Sequence, residues 1–153
     1  MAERARTDSV GFKRLPSNPD LPLPDRGTPG AAGYDLRSAE PEIELAPGEV
    51  RAVGTGLAMS LPEGLEAQIR PRSGLALKHA LTMPNAPGTI DPDYRGELRV
   101  VLQNLGSDPV RLGRGERIAQ MVFARFESPC FSEMDSLGRT ERGDGGFGST
   151  GRS

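Results

Sequence analysis

The chain has 153 residues, 19 of them Lys or Arg and 21 Asp or Glu, so it is long enough for one domain with its own core and too short for two ordinary ones. The formal net charge of -2 and the sequence pI of about 5.5 argue against a nucleic-acid polymer or an anionic membrane as partner, since both select for clustered Lys and Arg. The first residues lack the apolar region of a signal peptide, and no apolar run approaches the length of a membrane span. The lone Cys130 has no Cys or His neighbour at metal-ligand spacing, and we expect it to be a small buried or half-buried residue. We therefore expect a soluble, cytoplasmic protein.

Glycine and proline, with 20 and 14 residues, punctuate the chain and leave no room for an amphipathic helix of ordinary length. EIEL at 42–45 and EAQIR at 66–70 alternate polar and apolar residues, which predicts half-buried strands. SGLALKH at 73–79 predicts one short helix, and ELRVVLQ at 97–103 a further strand. RIAQMVFARF at 117–126 is richer in apolar residues and favours a strand covered on both faces, with a helix as the competing interpretation. Short strands at this spacing predict an all-β jelly roll or another sandwich.

From Ser128 onward the sequence is polar and rich in glycine, and it offers little for a core. Disorder is the simplest interpretation of such a composition. Phe147, however, lies among glycines with no local packing partner. This aromatic side chain indicates that the tail closes over something.

Five segments have more polar and glycine character than strand connections need. They are AGYDL (32–36), PRSGLA (71–76), GTIDPDYRGE (88–97), GERIAQ (115–120) and RGDGGFGSTG (142–151). The guanidinium and amide groups among them that suit phosphate oxygens belong to Arg72, Arg117, Arg142 and Gln120. Ser73 and Gly74 follow Arg72 where a turn or a helix start would present N–H groups and a hydroxyl to an anion. Together the segments contain the parts of a triphosphate site.

The carboxylates of these segments fit a metal only indirectly. Asp35 and Asp91 are too few for an all-protein metal cage, but Mg²⁺ keeps its waters and takes other ligands from substrate phosphates, so one carboxylate suffices. Each signal is weak alone, because Asp35 could equally cap a turn and His79 is more readily structural than catalytic. The sequence contains no Walker A pattern, Rossmann fingerprint, nucleophile elbow or zinc-ligand set. The site must therefore be of another design.

In this order and at these spacings, the five segments resemble the five motifs of the all-β, homotrimeric dUTPases. The resemblance runs from about Leu21 to the C-terminus, and its most specific parts are PRSGLA, NAPGTIDPDYRGE and RGDGGFGSTG. It implies a distorted jelly roll, a β-sandwich-like barrel, in a homotrimer whose C-terminal tail is exchanged between subunits. Residues 1–20 then form an N-terminal segment without interpretation, 21–127 the dUTPase-like β domain, and 128–153 a tail that acts as a lid on the active site.

The resemblance also implies an enzyme, a dUTP diphosphatase, that uses Mg²⁺ to hydrolyse dUTP to dUMP and pyrophosphate. Such an enzyme limits uracil incorporation into DNA and supplies dUMP for dTMP synthesis. Asp91 is similar to the catalytic aspartate, which holds and deprotonates the water that attacks the α-phosphate. Tyr94 resembles the tyrosine whose ring packs on the deoxyribose and leaves no room for a 2'-hydroxyl. Asp35 resembles the aspartate that orders the water shell of the metal.

The remaining positions of the resemblance bind substrate. Asn85 resembles the residue that reads the uracil edge, with main-chain groups of Gly88 and Ile90. Arg142 is similar to the arginine on the γ-phosphate, and Phe147 to the ring that stacks on the base. The other substrate-binding positions are Arg72, Ser73, Gly74, Thr89, Gln120, Ser149 and Thr150.

Three alternatives stay open at this point. The dCTP deaminases share the fold, but they need a catalytic glutamate and arginine arrangement that cannot be placed here. A nucleotide-sensing module would keep the pocket without turnover, and the intact Asp91 and tail argue against it. A β-sandwich with an unrelated role leaves Phe147 and the coincidence of five segments unexplained.

Overall fold

The computed structural model of the protein describes residues 9–147. Within them the chain forms strands and one short helix, α1 (Ser73–His79). The strands are β1 (Gly11–Arg14), β2 (Asp25–Arg26), β3 (Tyr34–Arg37), β4 (Ile43–Leu45), β5 (Val50–Ser60), β6 (Leu65–Arg70), β7 (Leu81–Thr82), β8 (Gly88–Ile90), β9 (Glu97–Asn104), β10 (Val110–Leu112) and β11 (Arg117–Arg125). The prediction of an all-β fold is confirmed.

Two larger sheets enclose the core. One has the order β1-β5-β9-β7 and the other the order β2-β3-β11-β6-β8, while β10 and β4 form a separate pair. Neighbouring strands are antiparallel, so side chains of one face point inward at every second residue. Leu98 and Val100 of the first sheet and Ile69 and Met121 of the second belong to the same buried apolar cluster. This arrangement is the predicted sandwich.

The predicted elements agree with the structure within one residue at nearly every boundary. EIEL, EAQIR and ELRVVLQ lie in β4, β6 and β9, and SGLALKH forms α1 with the predicted bounds. The helix ends because Ala80 turns left-handed, with a φ of 51°, and donates its N–H to the carbonyl of Ala76. RIAQMVFARF forms strand β11, so the competing helix was wrong. One face of β11 is buried at Ala119 and Met121, whereas Gln120 and Val122 on the other face are only half-buried.

β5, the longest of the described strands, was not predicted from the sequence. Its centre, Val53 to Met59, is buried throughout. Two glycines, which elsewhere punctuate the chain, lie inside it, and the register with β9 shifts between Gly54 and Ala58. A bulge accounts for such glycines, because the extra residue needs a special backbone conformation. In β5, glycine therefore marks an irregularity within the strand and not the end of the strand.

The N-terminal segment carried no prediction, yet its described part enters the fold. β1 pairs with β5, and Asn18 is buried with its Nδ2 donating to the Thr55 carbonyl at 2.8 Å. Cys130, expected to be buried or half-buried, is exposed in the tail. In the described part of the chain, no helix is long and apolar enough to cross a membrane.

Candidate active site

The register of the five-stranded sheet brings together the residues predicted to bind phosphate. Gln120 of β11 lies opposite Asp35 of β3 on one side and Arg70 of β6 on the other. Residues directly opposite in antiparallel strands share a face. Since β6 leads directly to α1, the start of the helix lies beside this row. The cavity formed there, of about 380 Å³, is lined by Gly27, Ala31, Ala32, Gly33, Asp35, Arg70, Arg72, Ser73, Gly74, Gln120 and Val122.

Asp35 holds two guanidinium groups at this cavity. Its Oδ1 is 3.3 Å from Nε of Arg72, and its Oδ2 is 3.1 Å from Nη1 of Arg117. Arg72 Nη1 also donates to the carbonyl of Arg117 at 3.2 Å. These contacts fix the direction of Arg72, which precedes the first residue of α1, and leave its other donors for an anion. Ser73 and Gly74 follow it and are exposed.

Gln120 is positioned by two contacts. Its Nε2 donates to the carbonyl of Pro71 at 3.0 Å, which ties β11 to the residue before Arg72. Its side chain passes so close to Gly33 that a Cβ at that position would lie 3.3 Å from both Cβ and Cδ of Gln120. Gly33 therefore provides the space that Gln120 occupies, a function that the pattern AGYDL did not reveal. Arg70 was also missed, although the alternation of EAQIR places it on the same face as Gln68.

The donor set of this cavity fits a magnesium ion that arrives with the nucleotide. Among residues 9–147, no group of three or more His, Cys, Asp or Glu side chains could hold an ion. Among the described residues, Asp35 is the one carboxylate that lines the cavity, and both its oxygens already contact guanidinium groups. A carboxylate accepts about four hydrogen bonds, so Asp35 can still accept hydrogen bonds from metal-bound waters. Mg²⁺ commonly completes its shell with waters and substrate phosphates.

The second predicted part of the site is the turn after β8. β8 pairs with β6, and Tyr94 N–H donates to the Asp91 carbonyl at 3.2 Å, which closes the turn. Pro92 occupies the second position of this turn, where its fixed φ is favourable. The Tyr94 hydroxyl donates to the Glu97 carbonyl at 3.1 Å. Both side chains, Asp91 and Tyr94, are exposed and have their backbone fixed by the turn.

Asn85 lies in the loop before β8, which contains a cis peptide bond between Ala86 and Pro87. Its side chain is exposed and passes over Gly88, where an added Cβ would lie 3.2 Å from Asn85 Nδ2. Gly88 is buried, Thr89 exposed and Ile90 half-buried. β8 is the last strand in its sheet, so its outer edge has no strand partner among the described residues.

In one chain the predicted site is divided into separate parts. The lining of the phosphate cavity includes no residue of the hairpin between Asn85 and Tyr94 within the described chain, and β6 separates β8 from β11. The tail does not reach the cavity lining either in its described part. There Arg142 Nε donates to the Gly145 carbonyl at 2.8 Å, and Phe147 is fully exposed. Ser149 and Thr150 lie outside the described residues.

Comparisons with known proteins identify the class of the molecule. A deoxyuridine 5'-triphosphate nucleotidohydrolase of Mesorhizobium japonicum is 53% identical over 146 residues, which cover 94% of this chain and 91% of that protein. The dUTPase of Staphylococcus bacteriophage 80alpha, solved with dUPNHPP, has a TM-score of 0.84 at 29% identity and covers 94% of this chain and 99% of its own. A mutant dUTPase of phage phi11 of S. aureus, described for its structural Mg(II) ion, has a TM-score of 0.77. At 23% identity, with 84% of this chain and 98% of that chain covered, it shows the fold alone.

The fold and these relatives define a jelly-roll-like β enzyme, a nucleotidohydrolase. The dUTPase family profile matches residues 20–151, nearly the whole chain. The chain belongs to the dUTPase family, whose function is the hydrolysis of dUTP. The resemblance stated from the sequence is confirmed.

Proposed function

We propose that this chain hydrolyses dUTP to dUMP and pyrophosphate, through attack of a water on the α-phosphate that Asp91 activates. The observation that supports the proposal most is the composition of the phosphate cavity. It is lined by Arg72, Ser73, Gly74 and Gln120 next to Asp35, the same set that the motifs predict. This cavity lies in a chain whose family hydrolyses dUTP.

The phosphate chain binds at this cavity in the proposal. Arg72, oriented by Asp35, and the amide of Gln120 contact phosphate oxygens, and Ser73 and Gly74 add a hydroxyl and main-chain N–H groups. Asp35 holds the water shell of Mg²⁺ when the ion arrives with the nucleotide. The ion would supply charge neutralisation at the phosphate oxygens.

Asp91 is the general base of the proposal. A base must keep its carboxylate within hydrogen-bond reach of the attacking water, and a fixed backbone limits the cost of that orientation. The turn that carries Asp91 is closed by the Tyr94 N–H and stiffened by Pro92. The exposed carboxylate on such a turn can accept a proton from a water at the edge of the bound nucleotide.

The hairpin provides specificity for base and sugar. Tyr94 is fixed at its hydroxyl by the Glu97 carbonyl, so its ring can serve as a wall against a 2'-hydroxyl. Asn85 and Thr89 are exposed, and they lie in or next to β8, whose outer edge pairs with no other described strand. Main-chain groups of Gly88 and Ile90 complete the recognition of uracil, because the edge of a sheet offers N–H and C=O groups to a ligand.

The separation of these parts supports a homotrimer with shared sites, in which the cavity, the hairpin and the tail come from different subunits. Within the described residues, neither the hairpin nor the tail lines the cavity. The tail, 128–153, then closes as a lid, with Arg142 on the γ-phosphate, Phe147 on the base, and Ser149 and Thr150 on phosphates. Such a lid excludes bulk water from the site and leaves only the one water that attacks the α-phosphate. Residues 21–127 form the body of the site.

We place this activity in the cytoplasm, where it limits uracil incorporation into DNA and supplies dUMP for dTMP synthesis. The direct test is to incubate the protein with Mg²⁺ and each common nucleoside triphosphate in turn and to measure pyrophosphate and ammonia. Pyrophosphate from dUTP alone, and its loss in Asp91→Asn, is the expected result. Ammonia from dCTP, or no turnover of any nucleotide, contradicts the proposal.

A second experiment tests the shared site with two inactive proteins. One carries Asp91→Asn, and the other is truncated before Arg142. When equal amounts are refolded together, a site is complete only if its hairpin comes from a truncated chain and its tail from an Asp91→Asn chain. Random mixing gives a chance of one half for each, so about a quarter of full activity should return.

The control is the same mixture with subunit exchange prevented, which should stay inactive. If the hairpin and the tail of a site belong to one subunit, every site keeps a defect at any mixing ratio. Hybrid trimers, shown by mass spectrometry, without recovered activity would therefore exclude the shared site.

A further inference from the structure

A second cavity, larger than the phosphate cavity, shares Arg72 with it. Its volume is about 670 Å³, and its lining is Arg37, Arg72, Leu75, His79, Arg111, Leu112, Arg114, Gly115, Glu116 and Arg117. The described lining thus contains five guanidinium groups and the single carboxylate of Glu116. Arg72 lines both cavities, and Arg117 contacts Asp35, which lines the first. The two cavities therefore adjoin through one cluster of charges.

Four of the five guanidinium groups have a carboxylate partner. Asp35 contacts both Arg72 and Arg117, as described above. Arg111 Nε lies 2.7 Å from Glu44 Oε2, and Arg114 Nη2 lies 2.6 Å from Asp20 Oδ1. With Glu116 of the lining, four carboxylates thus face five guanidinium groups among the described residues, because Asp35 is shared by two of them, and the cavity keeps an excess of one positive charge.

Arg37 is the fifth guanidinium group of the lining, and it has no carboxylate partner among the described residues. Its Nη1 donates to the Gly115 carbonyl at 2.8 Å, and within residues 9–147 no carboxylate forms an ion pair with it. It is half-buried and lies directly opposite Arg117 in the register of β3 and β11. Like charges opposite each other in a sheet are destabilising. Asp35, which forms an ion pair with Arg117, offsets part of this repulsion, and a bound anion would relieve the remainder.

We propose that this second cavity binds inorganic pyrophosphate on its way out of the active site, with Arg37 as the principal contact. The inference rests on the proposed function, because cleavage between the α- and β-phosphates is what produces this anion. Several guanidinium forks suit the closely spaced oxygens of a diphosphate. Leu75 and Leu112 exclude water from part of the wall, which strengthens the attraction. Arg72 belongs to both linings and can keep contact with the product during transfer.

The test is calorimetric titration of the full-length protein with inorganic pyrophosphate. The protein is first saturated with the dUTP analogue dUPNHPP, which fills the candidate active site. Pyrophosphate should still bind, and Arg37→Gln should raise its dissociation constant by roughly tenfold, as expected for the loss of one charge-assisted contact. Sulfate at the same ionic strength should bind more weakly, since it presents a single tetrahedral anion.

The matched control is Arg99→Gln. Arg99 also donates one guanidinium bond to a main-chain carbonyl, that of Ala52 at 2.9 Å, but it lies in the other sheet. Its replacement removes the same charge and should leave pyrophosphate binding unchanged. Equal weakening by both variants would mean diffuse attraction, and no binding to the saturated protein would mean that the active site is the sole pyrophosphate site. Either result overturns the proposal.

Two further arms keep the test decisive. If Arg37→Gln does not fold, as judged by its melting transition, Arg111→Gln takes its place, because Arg111 forms an exposed pair whose loss costs little stability. If dUPNHPP fails to bind, the proposed function fails by itself, and pyrophosphate is titrated into the free protein. Weakening by Arg37→Gln but not by Ser73→Ala would then still support the second site, and the reverse would refute it.

Discussion

Gly33→Ala should weaken the active site through Gln120, although it changes no charge and no predicted substrate contact. The added methyl group would lie 3.3 Å from Cβ and Cδ of Gln120 and still closer to the amide oxygen. The end of the Gln120 side chain could move away, but its Nε2 is held at 3.0 Å by the Pro71 carbonyl. Gln120 must therefore rotate and give up this hydrogen bond, which ties β11 to the segment of Arg72.

The size of the effect follows from those two changes. Loss of a hydrogen bond costs about 0.5–1.5 kcal/mol, and a strained side-chain rotamer costs a similar amount. Replacing a glycine of ordinary backbone conformation by alanine stabilises the folded state by about 0.4–1 kcal/mol, because the unfolded chain then has less conformational entropy. The free energy of unfolding should therefore fall by about 1–2 kcal/mol. If Gln120 also contacts phosphate, kcat/KM for dUTP should fall by roughly five- to tenfold.

Gly30→Ala is the matched control, since a Cβ at Gly30 would meet nothing within 4 Å. Denaturant unfolding and steady-state kinetics on both variants decide the outcome. Equal behaviour of the two variants would refute the close approach of Gly33 to Gln120. A loss of stability in Gly33→Ala with unchanged kcat/KM would remove Gln120 from the phosphate contacts.

Three other outcomes are expected. Asp91→Asn should lower kcat by roughly 10²-fold or more with binding of dUPNHPP retained, and equal loss of both in calorimetry and kinetics would indicate a structural role. Tyr94→Ala should raise turnover of UTP relative to dUTP, and an unchanged ratio would refute the steric wall. The hydrogen bond from Arg114 lowers the pKa of Asp20, so this pair stabilises the fold above the ordinary pKa of 3.8 and loses its effect as the pH falls through the lowered value. The difference in unfolding free energy between the wild type and Asp20→Asn should accordingly disappear in acid, and a difference that persists there would contradict the pairing.

Local chemistry explains what could be predicted from the sequence. Alternation of polar and apolar residues depends on neighbours along the chain, so β4, β6 and β9 were predicted nearly to the residue. SGLALKH was predicted as one short helix, whereas the left-handed conformation of Ala80 that ends it is known only from the structure. The candidate phosphate residues were predicted because guanidinium, amide and hydroxyl groups suit phosphate oxygens, and because the five segments together resemble the motifs of one family.

Only the tertiary structure decided which of these groups meet. Asp35 contacts Arg117 across 82 positions of sequence, through a register that no local pattern encodes. The same register sets Arg37 opposite Arg117, and both residues line the second cavity. β5 escaped prediction because its glycines serve a bulge that exists only when β9 is paired with it. Strand pairing and side-chain packing are non-local, since they depend on the free energy of the whole sheet. The local sequence pattern shows only which side chains take part in them.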